Sequence, residues 1–261
     1  ERDAISAYTA NNSGVFFLTG IMLVVFALLA VRLRDQSGDA SAPRDESWIG
    51  VAETLGRPLS AAFVLTVFTA QMIWPRAPFV FWQLIALAAV VPLYRLLPRS
   101  NNPVINRTMR ALLVLFAVIA LADLLVPPSA EYRVITMFAA LVVAAVAGWL
   151  ISSTSREQMV RTGWGTVVWV GLQLAVVIGM LSLIGNAAGW TLLAETRFGG
   201  LVYSAFIGLG VVIGYRVIAS VVRVLPQTRL GQASFIMRSH GDLVTSRAIT
   251  ALRIGAVLIW L

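Results

Sequence analysis

Seven apolar segments, each suited to crossing a lipid bilayer as a helix, follow one another along this chain of 261 residues. A hydrocarbon core of about 30 Å requires about twenty predominantly apolar residues per helix. The predicted helices cover about 14–31, 58–74, 79–94, 111–126, 134–151, 163–185 and 198–222. A membrane β-barrel would instead show alternating segments of about ten residues. The pattern therefore predicts an all-α integral membrane protein.

The composition supports this class and excludes several others. Hydrophobic residues make up 59% of the chain and charged residues 12%, whereas about a quarter of the residues of a soluble domain are charged. The net charge of +8 does not indicate a nucleic-acid partner, because the arginines lie between apolar segments and form no single patch. The chain has no Cys, so disulfides and thiolate metal sites are excluded.

Both ends of the chain lie in unusual places for a complete membrane protein. It begins without Met, and an eighth apolar segment begins near residue 249 and stops at Leu261. We therefore expect an internal piece of a longer protein, with a stub outside the cytoplasm and a truncated eighth helix. The predicted divisions are a stub at 1–13, a single helix at 14–31, a linker at 32–57, three antiparallel hairpins at 58–225, a second linker at 226–248 and the start of the eighth helix at 249–261.

Arginines alternate between the two sides of the predicted helices. Connections after the first, third, fifth and seventh helices carry fourteen arginines, and the opposite side carries only Arg2, Arg76, Arg133 and Arg197. Because short cytoplasmic loops are enriched in basic residues, the Arg-rich side is predicted to face the cytoplasm and the N-terminus the periplasm of a bacterial inner membrane. Six arginines at helix ends are predicted to contact lipid headgroups, unless they only determine topology: Arg32, Arg34, Arg95, Arg99, Arg107 and Arg110.

The first linker contains a segment with helical amphipathicity, DESWIGVAETLG at 45–56. A helix there would place its apolar side chains on one face: Trp48, Ile49, Val51, Ala52 and Leu55. We interpret it as a helix lying on the membrane surface of the Arg-rich side. The alternative is an ordinary solvated loop.

Few residues in this sequence could carry chemistry. His240 is the only histidine and lies in a connection, whereas a metal site needs three or four converging ligands. No nucleophile elbow, phosphate-binding glycine loop or paired carboxylates within helices are found. Asp123 and Arg216 lie near helix ends from which both can reach an interface, and Arg133 and Arg76 are candidate partners for Asp123 there. The sequence therefore predicts no enzymatic activity and no cofactor.

Polar and small residues inside the predicted helices are interpreted as packing positions. Gln71 and Gln83 lie on either side of the tight PRAP turn and are expected to hydrogen-bond to each other, and Gln173 is a third amide in the membrane. Gly210 and Gly214 form a GxxxG face for close packing of helices.

The arrangement of a single helix with the basic flank VRLRD, followed by hairpins such as 57–99, resembles the membrane region of the large MscS-like mechanosensitive channels. SRAITALRIGAVLIWL at 246–261 is similar to the helix before their channel core. The resemblance implies a peripheral region that senses membrane tension, membrane lipids as partners, and a homo-oligomer of seven copies. The pore core of that family would lie beyond this sequence.

The resemblance implies that this chain is the tension-sensing region of a mechanosensitive channel that releases ions and small solutes on osmotic downshock. The alternative is a fragment of a secondary transporter or a multi-pass membrane scaffold. A transporter should bring broken helices together in the middle of the membrane, whereas Gly and Pro here lie mostly at helix ends. A membrane-embedded enzyme is disfavoured by the lack of converging polar residues.

Overall fold

The computed structural model describes residues 8–10, 12–38, 46–74, 77–97, 103–125, 130–154, 156, 165–228 and 235–260. Within these ranges the chain is helical and contains no strand. The helices of ten or more residues are α1 (Ser13–Gly38), α2 (Glu46–Leu55), α3 (Pro58–Ile73), α4 (Phe79–Leu96), α5 (Pro103–Leu125), α6 (Ala130–Ser153), α7 (Gly165–Ala187), α8 (Thr191–Val224) and α9 (Phe235–Trp260), with a 3₁₀ turn at Leu225–Gln227.

Six of these helices contain segments that are long and apolar enough to cross a membrane. The segments are Ser13–Asp35, Phe79–Leu96, Pro103–Leu125, Tyr132–Ser153, Val168–Ala187 and Thr196–Val224. α3 is shorter, because its 16 residues span only about 24 Å at 1.5 Å per residue. The prediction of an all-α, multi-pass membrane protein is confirmed.

Several helices extend beyond the predicted apolar segments. α5 begins at Pro103 rather than near 111, and α9 begins at Phe235, inside the stretch predicted as a linker at 226–248. The early turns of α5 are amphipathic, with Ile105 buried and Arg107 exposed. The charged residues of this stretch lower its hydropathy, so the sequence pattern places the start of the membrane helix later. The helix nevertheless begins earlier, because a charged residue at an exposed position does not interrupt helical hydrogen bonding.

The chain forms two compact units, and α8 has residues in both of them. The first unit comprises Glu1–Pro98 and Gly210–Leu261, and the second comprises Arg99–Leu209. In the first unit, α3 packs against both α1 and α4. The α3 helix begins with Pro58 at its first position, where the missing N–H costs nothing. Pro92 lies buried inside the continuous α4.

In the second unit, the closest packing is between α6 and α7. Gly179 lies against Ala140 and Ala144, while Leu172 lies in one apolar cluster with Ala147 and Leu150. Residue numbers rise along α7 as they fall along α6, so the two helices are antiparallel. This pair combines the second helix of one predicted hairpin with the first helix of the next.

A Schellman turn ends α7. Gly189 has φ of +85°, which glycine adopts without the steric penalty of a Cβ atom. Its N–H donates to the carbonyl of Asn186 at 3.2 Å, and the N–H of Trp190 donates to the carbonyl of Gly185 at 2.8 Å. These two bonds satisfy carbonyls at the helix end, so α8 can begin only a few residues later.

Candidate functional site

A carboxylate in the second unit accepts hydrogen bonds from two tyrosines. Asp123, near the end of α5, accepts at Oδ1 from the Tyr132 hydroxyl of α6 at 2.5 Å and at Oδ2 from the Tyr203 hydroxyl of α8 at 3.0 Å. Asp123 therefore holds three helices together on the Arg-poor side of the second unit.

Stacked aromatic rings extend this cluster along α5 and α8. Phe116 is fully buried, and its ring stacks on Phe206 with centroids 3.6 Å apart and planes 7° from parallel. Tyr203 meets the Phe116 ring edge to face at 5.3 Å. Among the described residues, the partners of Asp123 are therefore two tyrosines and not the candidate arginine Arg133. Arg133 is exposed, and Arg76 lies outside the described residues.

The Arg-poor side of the first unit is packed with aromatic rings. Trp74, at the end of α3, is buried and donates its Nε1–H to the Thr19 hydroxyl of α1 at 3.0 Å. Its ring meets Phe16 at 4.6 Å and Phe81 at 6.1 Å, both edge to face. A buried Trp N–H normally finds a partner, so Thr19 explains how Trp74 can lie inside this cluster.

The amphipathic linker segment forms α2, which packs into the first unit. Its Val51 and Leu55 are buried in one cluster with Leu33 of α1 and Val224 of α8. Ala52, expected on the same face, is exposed, and the side chains of Trp48 and Ile49 lie outside the description. The segment is helical, but two of its apolar side chains are buried against other helices of the protein.

An electrostatic contact accompanies this apolar cluster. Arg216, on the part of α8 that belongs to the first unit, interacts with the carboxylate of Glu53 on α2. Arg216 is partly buried, and a guanidinium withdrawn from water needs an opposite charge nearby. The pair therefore complements the apolar contacts that hold α2 beside the end of α8.

The two glycines of the predicted GxxxG face differ in their surroundings. A Cβ atom at Gly214 would overlap the ring of Phe68 on α3, reaching within 2.8 Å of its Cζ atom, whereas a Cβ atom at Gly210 would meet nothing within 4 Å. Close packing therefore occurs at Gly214 and is absent at Gly210. The motif predicted a symmetrical face because a sequence pattern does not reveal which side chain of a neighbouring helix lies beside each glycine.

Sequence reasoning missed the closest helix contact of the second unit. A Cβ atom at Gly179 would lie 3.0 Å from Cβ of Ala144 and 3.1 Å from the carbonyl oxygen of Ala140. Ala140 and Ala144 form a small-xxx-small pattern, which is typical of membrane helices whose backbones approach closely. That spacing was the signal available in the sequence. It did not single out Ala140 and Ala144, because α6 contains several other alanines.

The glutamines do not form the predicted pair. Gln71 is exposed near the end of α3, Gln83 is buried in α4, and no hydrogen bond joins them within the described part of the chain. They do not interact because only Gln83 turns towards the helices packed around it. Gln173 is exposed in α7. Asn186 is a further amide, and its buried side chain has no hydrogen-bond partner among the described residues.

The arginines predicted to contact headgroups have exposed side chains wherever they are described. Five of them fall within the described ranges: Arg32, Arg34, Arg95, Arg107 and Arg110. Arg99 lies outside those ranges. Exposure leaves these side chains accessible from outside the protein, and the expected headgroup contact stays a prediction.

The part of the chain that the structure describes has no group of three or more His, Cys, Asp or Glu residues that could hold a metal ion. The side chain of His240 lies outside that description. Asp123 binds tyrosine hydroxyls and Glu53 interacts with an arginine. Both carboxylates therefore have a structural role in the packing of helices.

Comparison of this chain with known protein families, with curated proteins and with solved structures finds no match.

Proposed function

We propose that this chain is the tension-responsive membrane region of a mechanosensitive ion channel, located in a bacterial inner membrane with the Arg-rich side towards the cytoplasm. Such a channel would release ions and small solutes on osmotic downshock. In this proposal, the helices described above change the tension at which the channel opens and do not line its pore.

The observation that carries the proposal is the amount of apolar surface that the spanning helices leave outside the protein. Large hydrophobic side chains are exposed along them, among them Leu28 of α1, Val118 of α5, Phe138 of α6 and Leu181 of α7. In the most apolar window of α1 only 6% of the residues are buried. Lipid is the natural partner of such side chains, so this region would respond directly to changes in the bilayer.

The polar residues support the same proposal by their placement. Asp123 accepts hydrogen bonds from tyrosines of two neighbouring helices, and Arg216 lies within electrostatic range of Glu53, which leaves both side chains little capacity to bind a transported ion. Pro92 lies within a continuous helix, whereas transporters use broken helices to build binding sites at mid-membrane. The described helices therefore favour a lipid-responsive role over transport.

Tension would act through differences between two conformations of the region. Tension favours the conformation with the larger area in the membrane, and thinning favours shorter hydrophobic spans. α3, with its span of about 24 Å, is the helix best matched to a thinned bilayer. Exposed arginines would hold the Arg-rich helix ends at anionic headgroups, each contributing about 1 kcal/mol near the surface.

The experiment is electrical recording from the full-length gene product in a bacterial strain that lacks its own mechanosensitive channels. Deleting residues 32–225 should leave the single-channel conductance nearly unchanged and shift the tension for half-opening. The matched measurement is survival of osmotic downshock. Survival should fall when the opening tension rises and improve when the opening tension is lowered.

Two results would overturn the proposal. Absence of tension-activated current from the full-length protein, in patches where it is shown to be present, removes the channel assignment. A deletion that changes conductance or ion selectivity, while the opening tension stays in place, would instead assign these helices to the permeation path.

A further inference from the structure

We propose that two copies of this chain associate side by side through one face of α7, with the two Gln173 side chains hydrogen-bonded to each other inside the membrane. The Gln173 face is defined by five exposed residues: Val170, Gln173, Val177, Met180 and Ile184. This contact is independent of the channel function proposed above, and its two-fold pairing is distinct from the ring of seven copies that the resemblance implies.

The spacing of the Gln173 face matches what a packed helix pair requires. Its residues are separated by three, four, three and four positions, the interval of the a and d positions in paired helices. A different face of α7 is already occupied, because Leu172 and Gly179, about 100° and 120° around the helix from Gln173, pack against α6. The Gln173 face therefore remains open for a partner outside the second unit.

Gln173 gives this open face its chemical specificity. It lies five residues, or about 7.5 Å, inside the apolar segment Val168–Ala187, and no hydrogen bond to its side chain occurs among the described residues. An amide in hydrocarbon without a hydrogen-bond partner is costly. Its side chain lacks the length of Lys and Arg, which reach the interface from within the membrane. The face therefore requires a partner that supplies a hydrogen bond at this depth.

A second copy of the chain meets that requirement. A carboxamide carries both donors and an acceptor, so glutamine is complementary to itself. Copies with the same topology place residue 173 at the same depth, and two parallel α7 helices related by a two-fold axis bring it opposite its counterpart. Polar side chains joined in this way, flanked by packed apolar residues, are a recognised source of helix association in membranes.

Disulfide cross-linking in native membranes tests the geometry, since the chain has no Cys. Val177→Cys in the full-length protein, cleared of any other cysteine, should form a dimer on mild oxidation. The control is Gly171→Cys, which is also exposed and has nothing within 4 Å of its Cβ position. It lies two residues, or about 200° around the helix, from Gln173, so it should cross-link poorly.

Substitution of Gln173 tests the chemistry. Gln173→Leu should weaken association between labelled copies by about 3- to 30-fold, measured by energy transfer in membranes, while the unfolding temperature is unchanged or higher. Gln173→Asn keeps an amide and should retain more of the association. Equal cross-linking at Gly171→Cys and Val177→Cys, unchanged association of Gln173→Leu, or a protein that stays monomeric would each overturn the proposal.

Discussion

The two units solve the same problem, close packing of membrane helices, in different ways. In the second unit, Gly179 of α7 faces the backbone of α6, with the carbonyl oxygen of Ala140 and the Cβ atom of Ala144 as its nearest neighbours. In the first unit, Gly214 of α8 receives the ring of Phe68 from α3. One contact is between backbones, and the other places a large side chain in the space that a glycine leaves.

This difference determines how each contact should respond to a larger side chain. To accommodate a larger side chain, a facing backbone can move only if its whole helix shifts, whereas a facing aromatic ring can rotate. Interiors tolerate added volume poorly, at a cost of about 1–3 kcal/mol for typical overpacking. We therefore expect the contact at Gly179 to be the less tolerant of the two.

The largest effect is expected from Gly179→Leu. The added side chain would separate α6 from α7 and should lower the free energy of unfolding in detergent by about 3 kcal/mol. Gly171→Leu is the matched control on the same helix, because a Cβ atom there meets nothing within 4 Å. Similar unfolding energies for the two variants would contradict the close approach of these helices.

An intermediate effect is expected from Gly214→Ala. Overlap with the Phe68 ring should cost about 1–2 kcal/mol, after the gain of up to about 1 kcal/mol that alanine brings to a helix. Gly210→Ala, four residues earlier with open space around it, should be neutral or stabilising. Adding Phe68→Leu to Gly214→Ala should recover part of the loss, and a double variant no more stable than Gly214→Ala would refute the contact.

These glycines also illustrate what the sequence could and could not predict. Hydropathy located the spanning helices because the bilayer imposes a length and an apolar character on each one. The GxxxG motif marked Gly210 and Gly214 equally, and only the position of Phe68 distinguishes them. Gly179 went unnoticed because its partners, Ala140 and Ala144, lie on another helix whose facing residues the sequence does not identify.

A smaller effect is expected at the tyrosine contacts of Asp123. Tyr203→Phe removes one hydroxyl that donates to this side chain and should lower the free energy of unfolding by about 1 kcal/mol, the typical net contribution of one hydrogen bond. With Asp123→Asn already present, the same change should cost much less. A double-mutant cycle with no coupling energy would show that the two side chains act independently.

Asp123 shows a second limit of sequence-based prediction. The sequence indicated a carboxylate near a helix end and offered Arg133 and Arg76 as the nearest opposite charges. The observed partners are Tyr132 and Tyr203, the second of them 80 residues away. The sequence identifies the charged side chains near Asp123. It does not identify which side chains face Asp123, because that depends on the packing of α5, α6 and α8.

In the proposed function, lipid contact with the exposed apolar helix faces sets the tension response, and a substitution on α1 tests this most directly. Leu28 is 61% exposed, so Leu28→Asn should weaken its contact with lipid without disturbing the protein core, and Leu28→Met is the apolar control. In patches containing the full-length protein, Leu28→Asn should raise the tension for half-opening, with single-channel conductance unchanged, while Leu28→Met behaves like the parent. An unchanged opening tension for Leu28→Asn, or a change confined to conductance, would contradict the account.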